Sequence, residues 1–224
     1  MGVDVVTTVL ALDTATPIVV AGVATITDGQ VREIAVCREE NARGHAEVLT
    51  TLILSALGEA QVTRDQLDAV VVGCGPGPFT GLRVGIATGA AFADALGIAA
   101  YGVCSLDAIA AGVGAGQLLV VTDARRREVY HARYVDGARI AGPAVATPAD
   151  LREALSDSAL DVVAGPAAFA EQFGEVAVGT DAPTVGGLVA AAMADIMGAA
   201  VPGPLEPLYL RRPDAVERAP GRRR

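Results

Sequence analysis

The residues best placed to do chemistry lie between an apolar run and a helix: Gly73-Cys74-Gly75-Pro76-Gly77-Pro78-Phe79-Thr80-Gly81-Leu82-Arg83. Closely spaced Gly and Pro force a tight, fixed chain path. Thr80 stands where it would cap the helix, whose first N–H groups can hold an anion. The dinucleotide fingerprint is absent, because Gly75-x-Gly77 is followed by Thr80 where a third glycine belongs. Two readings stand: a packing turn, or a vestigial phosphate loop built from Gly75, Gly77, Thr80, Gly81 and Arg83. Asp13-Thr14-Ala15-Thr16 follows the first apolar run. Asp13, Thr14 and Thr16 are either turn residues or the acid and hydroxyls that would face phosphate and Mg²⁺.

Other chemistry is excluded by composition. The chain has no Lys, all 17 basic residues being Arg, which rules out a catalytic lysine and a G-x-x-x-x-G-K loop. The only histidines, His45 and His131, fall in different halves and read as surface or capping residues. Cys37, Cys74 and Cys104 are odd in number and sit in apolar runs. They read as buried reduced thiols, which points to the cytoplasm. No carboxylate pair, Ser/His/Asp set or metal site assembles from the remainder.

The elements that must position these residues follow from apolar runs and their punctuation. Residues 5–12, 18–26 and 31–37 read as three consecutive antiparallel strands, with a tight turn at Asp28-Gly29. A helix over 45–57, ended by Gly58, carries Leu49, Leu52, Ile53 and Ala56 on one stripe with Val48 beside it. A short helical turn at 63–67, a buried strand at 68–73, a helix over 81–96 and a strand at 99–104 complete a βββ-α-β-α-β order. The second helix carries Gly81, Gly85, Gly89 and Ala93 at four-residue spacing, with Ile86 among them. Interior glycines cost about 1 kcal/mol each relative to Ala, so the row implies close approach of another backbone. That backbone is the protein's own sheet, or a helix of a second chain on the opposite face.

The second half reads as a reduced copy of the first. Ser105 caps a helix through 111, strands at 118–122 and 128–135 pair, and Asp136-Gly137 is another hairpin turn. Thr147-Pro148 starts a helix, 161–164 is a short strand, and 184–198 is a final apolar helix that can pack back on the first lobe. The expected organisation is an N-terminal lobe at 1–104, a smaller lobe at 105–200 and a Pro/Arg-rich tail at 201–224, anchored at most by Leu208-Tyr209-Leu210. Composition agrees: 52% hydrophobic, 4% aromatic and no Trp require a core of Val, Leu, Ile and Ala, as in sheets flanked by helices. The formal charge is −9, and residues 201–224 hold six Arg against three acids, which leaves −12 on residues 1–200. Such a body is a poor primary binder of nucleic acid. The start lacks the basic-then-apolar layout of a signal peptide, and the apolar runs are too interrupted to span a membrane.

Several segments together resemble the TsaB (YeaZ-type) family. They are Leu10-Ala11-Leu12-Asp13-Thr14-Ala15-Thr16, Arg43-Gly44-His45-Ala46-Glu47-Val48-Leu49, and the Gly75-Pro76-Gly77-Pro78-Phe79-Thr80-Gly81-Leu82-Arg83 block, the most specific. Gly102-Val103-Cys104-Ser105-Leu106, Asp123-Ala124-Arg125 with Glu128-Val129-Tyr130, and Pro207-Leu208-Tyr209-Leu210-Arg211 extend the match over nearly the whole chain. The resemblance implies an α/β actin/hexokinase-like ATPase (ribonuclease-H-like) fold of two lobes, with a mixed five-stranded sheet in the first. It implies a non-catalytic scaffold of a TsaD-like transferase, working with a TsaE-like ATPase. That machinery forms N6-threonylcarbamoyladenosine next to the anticodon of tRNAs reading codons that begin with A. The catalytic paralogue carries an H-x-x-x-H metal pair, and the matching positions here are Ser105 and Ile109, neither a usable ligand. The resemblance places the partner interface on the first two long helices, hence on His45, Val48, Leu49, Leu52, Gly85, Ile86, Gly89 and Ala93. It implies homodimers when the partner is absent, tRNA contact only through the complex and no membrane contact. No intrinsic cofactor is expected, ATP or ADP binding weakly or at the complex interface. Pro78 stands where the family usually has Ser, which removes a hydroxyl and an N–H from the loop. The alternatives are a small-molecule kinase or ATPase of the same fold, a metalloprotease-like hydrolase, which fails on the missing histidines, and a self-associating structural protein.

Overall fold

A computed structural model describes residues 6–40, 45–114, 116–156, 158–174 and 177–211. The first apolar runs form β1 (Thr7–Asp13), β2 (Ile18–Thr27) and β3 (Gln30–Glu40). They pair antiparallel in sequence, with Asp13 opposite Val20 and Thr27 opposite Gln30. The turn at Asp28 and Gly29 holds φ of 53° and 72°, which Gly takes freely and Asp tolerates. After α1 (His45–Ala60) and a 3₁₀ turn at Arg64–Gln66 come β4 (Ala69–Gly73), α2 (Phe79–Leu96) and β5 (Ala99–Val103). β4 joins β1 in parallel and β5 joins β4, giving the sheet order β3-β2-β1-β4-β5. This is the ribonuclease-H-like arrangement of the actin/hexokinase-like α/β fold.

Three helix boundaries differ from the sequence reading. α1 runs through Gly58 to Ala60, and Gln61 takes the left-handed position at φ 55°. The Val62 N–H reaches back to the Leu57 carbonyl (3.0 Å), so main-chain bonds of the Schellman type close the helix one turn late. α2 begins at Phe79 with extended Pro78 at its N-cap, so Thr80 lies inside the helix and caps nothing. Ser105 is likewise not the cap: Cys104 holds that place, and the serine hydroxyl is used elsewhere.

The second half contains α3 (Ser105–Val113), β6 (Gln117–Asp123), β7 (Val129–Val135), β8 (Ala138–Ala146) and α4 (Pro148–Ala154). β9 (Val162–Gly165), α5 (Ala167–Ala170), β10 (Ala177–Gly179) and α6 (Val185–Met197) follow. Its strands order β10-β9-β6-β7-β8, with β6, β7 and β8 antiparallel and β6, β9 and β10 parallel. Read from β8, this repeats the first sheet strand for strand. The copy is reduced in its helices, 7 and 4 residues in α4 and α5 against 16 and 18 in α1 and α2. The largely exposed β8 and three-residue β10 carry too little apolar pattern to be legible as strands.

Period-two alternation divides the first sheet between two cores. Leu10, Leu12, Val19, Ala21 and Val23 face α1 and α2, packing on Leu49, Ile53, Ala56 and Leu57. Val9, Ala11, Ile18 and Val20 face the other way, onto Val185, Leu188, Val189 and Ala192 of α6. The last helix therefore covers the first sheet and also packs on α3, where Gly187 lets the Ala108 carbonyl approach. The chain then crosses back along the molecule. Leu208 N–H donates to the Cys74 carbonyl (2.8 Å), and Tyr209 stacks on Phe79 with ring centroids 5.1 Å apart. Arg211 pairs with Glu128 and donates to the Ala124 carbonyl (2.8 Å). Residues 212–224 of the expected tail, and Arg43 and Gly44 of the family block, lie outside the described residues. Among the described residues no helix is long and apolar enough to cross a membrane.

Candidate functional site

The ends of β1, β4 and β5 converge at Asp13, which is fully buried. Its Oδ1 accepts the Ala15 N–H (2.8 Å), and its Oδ2 accepts the Ser105 hydroxyl at 2.5 Å. Ser105 Oγ in turn accepts the Gly75 N–H (3.2 Å), while the Ser105 N–H donates to the Gly75 carbonyl (2.7 Å). Burial raises the Asp13 pKa above the ordinary carboxylate value, opposed by the bonds from Ser105 and Ala15. Gly73 is required beside this carboxylate, since a Cβ there would overlap Asp13 Oδ2.

The two loops that would bracket a phosphate bond to each other instead. Thr14 Oγ1 donates to the Gly81 carbonyl (2.7 Å). A Cβ on Gly81 would lie 2.6 Å from the Thr14 carbonyl oxygen, and one on Gly77 would collide with the Ala15 backbone. Thr14 and Thr16 are 1% and 6% exposed, and Thr16 Oγ1 is spent on the Ile18 backbone. Thus Asp13, Thr14, Gly75, Gly77 and Gly81 do come together, but as a self-satisfied knot. Thr80 and Arg83 are exposed on α2 and do not join it. The Arg83 guanidinium lies 3.9 Å from the Phe79 ring centre, and its Nε donates to the Tyr209 hydroxyl (3.1 Å). These residues do not fit a Mg²⁺-nucleotide held as the fold's ATPases would hold one.

The helix residues proposed for a partner interface divide in the same way. Leu49 is 0% exposed within the first core. Gly85 meets the Thr14 side chain, Gly89 meets Val72 and Leu12, and Ala93 is buried beside them. The close approach that the small residues permit is to the protein's own sheet and loop, which corrects the expectation that Leu49, Gly85, Gly89 and Ala93 meet a second chain. Val48, Leu52 and Ile86 are half-buried against the same core. The side chain of His45 lies outside the described residues. The outward surface of the pair carries Leu54, 48% exposed on α1, and Ala87, Ala90 and Ala91 on α2.

A cavity of about 270 Å³ opens between the lobes, lined by Ala15, Thr16, Pro17, Ile18 and Glu40 on one side and Thr122, Asp123, Pro166, Phe169 and Asp181 on the other. Asp123 lines the second-lobe side of this cavity. It ends β6 as Asp13 ends β1, and Asp123 Oδ1 accepts the Arg125 N–H (2.7 Å) as Asp13 accepts that of Ala15. The shared signal is an Asp at the last strand position with an N–H two residues on. Thiol chemistry finds no support: burial pushes Cys74 up to about 12 and Cys104 up to about 11, so both stay protonated. Burial lowers the pKa of half-buried His131 on β7. Ile109 is 2% exposed, packed into the second lobe's core.

Residues 29–202 match a family model described as "TsaD: tRNA N6-adenosine threonylcarbamoyltransferase". An uncharacterised protein of Mycobacterium tuberculosis is 54% identical over 213 residues, 94% of each chain. The Escherichia coli tRNA threonylcarbamoyladenosine biosynthesis protein TsaB is 33% identical over 131 residues, 56% of this chain and 54% of that one. Two solved structures from Pseudomonas aeruginosa superpose closely. One, described as similar to peptidase YeaZ, has a TM-score of 0.74 and 28% identity over 92% of this chain and 100% of the other. The second, YeaZ itself, has a TM-score of 0.71 and 26% identity over 91% and 100%.

Proposed function

We propose that this chain, which belongs to the TsaB (YeaZ-type) family within the wider family of tRNA N6-adenosine threonylcarbamoyltransferases, is a non-catalytic activating subunit of the enzyme that makes threonylcarbamoyladenosine in tRNA. Its partners are a TsaD-like transferase and a TsaE-like ATPase, its substrates being tRNAs that read codons beginning with A. The observation that carries this reading is the Asp13–Ser105–Gly75 knot. A carboxylate sealed from solvent, whose oxygens accept from a serine and a backbone N–H, is spent on structure and cannot also serve a nucleotide or metal. Ser105 occupies the position of the paralogue's first metal histidine and is itself the lock.

The partner docks on the outward surface of α1 and α2. Leu54 supplies an exposed apolar anchor, and Ala87, Ala90 and Ala91 let another helix approach closely. Alone, the same surface pairs two copies of this chain. ATP or ADP binds weakly or only where the subunits meet, and tRNA is held through the complex because the body is acidic. One observation favours a second reading, a nucleotide-handling enzyme of the same fold: Asp123 and Thr16 face each other across the interlobe cavity. Glu40 and Asp181 in that cavity oppose it, since with Asp123 they make three carboxylates and no basic side chain among the described lining residues, an arrangement that repels polyphosphate.

Reconstitution tests the choice. Transferase, small ATPase, threonylcarbamoyl donor and tRNA should yield modified tRNA only when this chain is added, and this chain alone should yield none. Modification by the isolated chain, or a mixture indifferent to its presence, would overturn the reading.

A further inference from the structure

We propose that the cavity between the two lobes binds a short aliphatic diamine, an extended cation with an apolar middle; the proposal is independent of the accessory-subunit reading above. Asp13, Thr14, Thr16, Ser105 and Thr122 are all buried, and the first four are engaged within the protein. Asp13 and Ser105 hold each other, Thr14 Oγ1 donates to the Gly81 carbonyl, and Thr16 Oγ1 is spent on the Ile18 backbone. Thr122, on β6, is the exception. It is 5% exposed, and its hydroxyl has no hydrogen-bond partner among the described residues. Among those residues no side-chain N or O that is sealed from solvent lacks a partner, so Thr122 Oγ1 must be reachable. What it opens onto is the cavity that Thr122 lines. A hydroxyl set so deep and left without a protein partner calls for a polar group from outside the chain.

The charge of the cavity selects that group. Glu40 stands on the first-lobe wall, Asp123 and Asp181 stand on the second-lobe wall, and none of the lining residues is basic. The acids do not converge: among the described residues no three His, Cys, Asp or Glu side chains gather closely enough to hold a metal ion. A compact divalent cation needs that convergence, because its oxygen ligands lie at about 2.0–2.6 Å. Acids spread over two walls suit a ligand with a cationic group at each end. Pro17, Ile18, Pro166 and Phe169 supply apolar lining for a methylene chain, and an aromatic ring attracts an ammonium. At about 270 Å³ the cavity falls just short of the roughly 300–1,000 Å³ typical of ligand pockets, so a slender chain fits it better than a nucleotide. An ammonium has only N–H donors. One end of the diamine donates to Thr122 Oγ1 and to a second-lobe carboxylate, and the other end donates to Glu40.

The test titrates the full-length chain calorimetrically with putrescine, with n-butylamine, which has the same carbon chain and one ammonium, and with Mg²⁺. Putrescine should bind one per chain, more weakly as salt is raised. Butylamine should bind about fivefold more weakly, because one acidic wall goes unanswered. Thr122→Val removes the hydroxyl at nearly unchanged shape and should weaken putrescine by about 10- to 100-fold, the worth of a hydrogen bond to a charged group. Without ligand its melting temperature should hold or rise, since no protein contact is lost. Thr122→Ser, which keeps the hydroxyl, should bind like the wild type, and exposed Asp181→Asn should weaken putrescine by up to about fivefold. Putrescine that fails to bind, binds no better than butylamine, or binds Thr122→Val as tightly as wild type would overturn the proposal. Displacement of putrescine by equimolar Mg²⁺ would overturn it in favour of a compact metal site. A lowered melting temperature of ligand-free Thr122→Val would overturn it by returning the hydroxyl to the fold.

Discussion

Leu49 and Leu54 stand five residues apart on α1 and should behave oppositely. Leu49 is 0% exposed among Leu10, Leu12, Val19 and Val23, whereas Leu54 is 48% exposed. Leu49→Ala leaves a cavity in a two-sided core and should cost about 2–5 kcal/mol. For a chain of this size each kcal/mol lowers the melting temperature by about 2–4 °C, so a loss near 3 kcal/mol appears as roughly 6–12 °C. Leu54→Asp should change stability by less than about 0.5 kcal/mol. Its effect falls on binding: burying the exposed half of the leucine is worth about 1 kcal/mol, and stranding a carboxylate adds about 2 kcal/mol. Together these weaken the partner by about a hundredfold. The experiment is thermal melting of each isolated variant and titration against the transferase subunit. Leu49→Ala melting like wild type would show that its stripe is not core. Leu54→Asp binding at full strength would move the docking surface off α1.

Three further outcomes follow from the buried knot and its glycines. Because burial raises the folded-state pKa of Asp13 above its ordinary 3.8, this group's contribution to stability is full below that value and is lost as pH rises through the folded pKa. Asp13→Asn should therefore flatten the rise in stability as pH falls toward the ordinary carboxylate value, read from denaturant midpoints; an identical pH profile assigns the slope to another group. Gly77→Ala should destabilise by about 1–3 kcal/mol, its Cβ meeting the Ala15 backbone, whereas Gly58→Ala in α1, with nothing within 4 Å, should stabilise by about 1 kcal/mol. Equal melting shifts for the two would contradict the close packing at Gly77. Mg²⁺-ATP at about 1 mM should shift the melting temperature of the isolated chain by under about 1 °C, since stabilisation requires ligand well above its Kd; a shift of several degrees would return the interlobe cavity to the account.

What local pattern determines was legible in the chain. The Asp-Gly pairs at 28–29 and 136–137 mark hairpins because few residues accept φ near 50–80°. Thr147 before Pro148 marks a helix start, and in the fold its Oγ1 accepts the Asp150 N–H. The βββ-α-β-α-β order of the first lobe was readable because strand and helix periods differ. Directions and distances between segments were not. The spacing of Gly85 and Gly89 announces a close approach but not its partner, which turned out to be Thr14 for one and Val72 and Leu12 for the other. Leu49 and Leu54 are the same residue type on one helix, and only the placement of β1 and β2 beneath α1 decides that the first is core and the second surface. Ser105 read as a helix cap, and only folding brings it against its true partner, Asp13, 92 residues away in sequence. The equivalence of Asp123 to Asp13, each ending the central strand of its sheet, was invisible because it depends on how the strands order in space. Local propensity fixes backbone shape over a few residues, whereas which faces are buried and which side chains meet depends on contacts whose sequence separation carries no periodic trace.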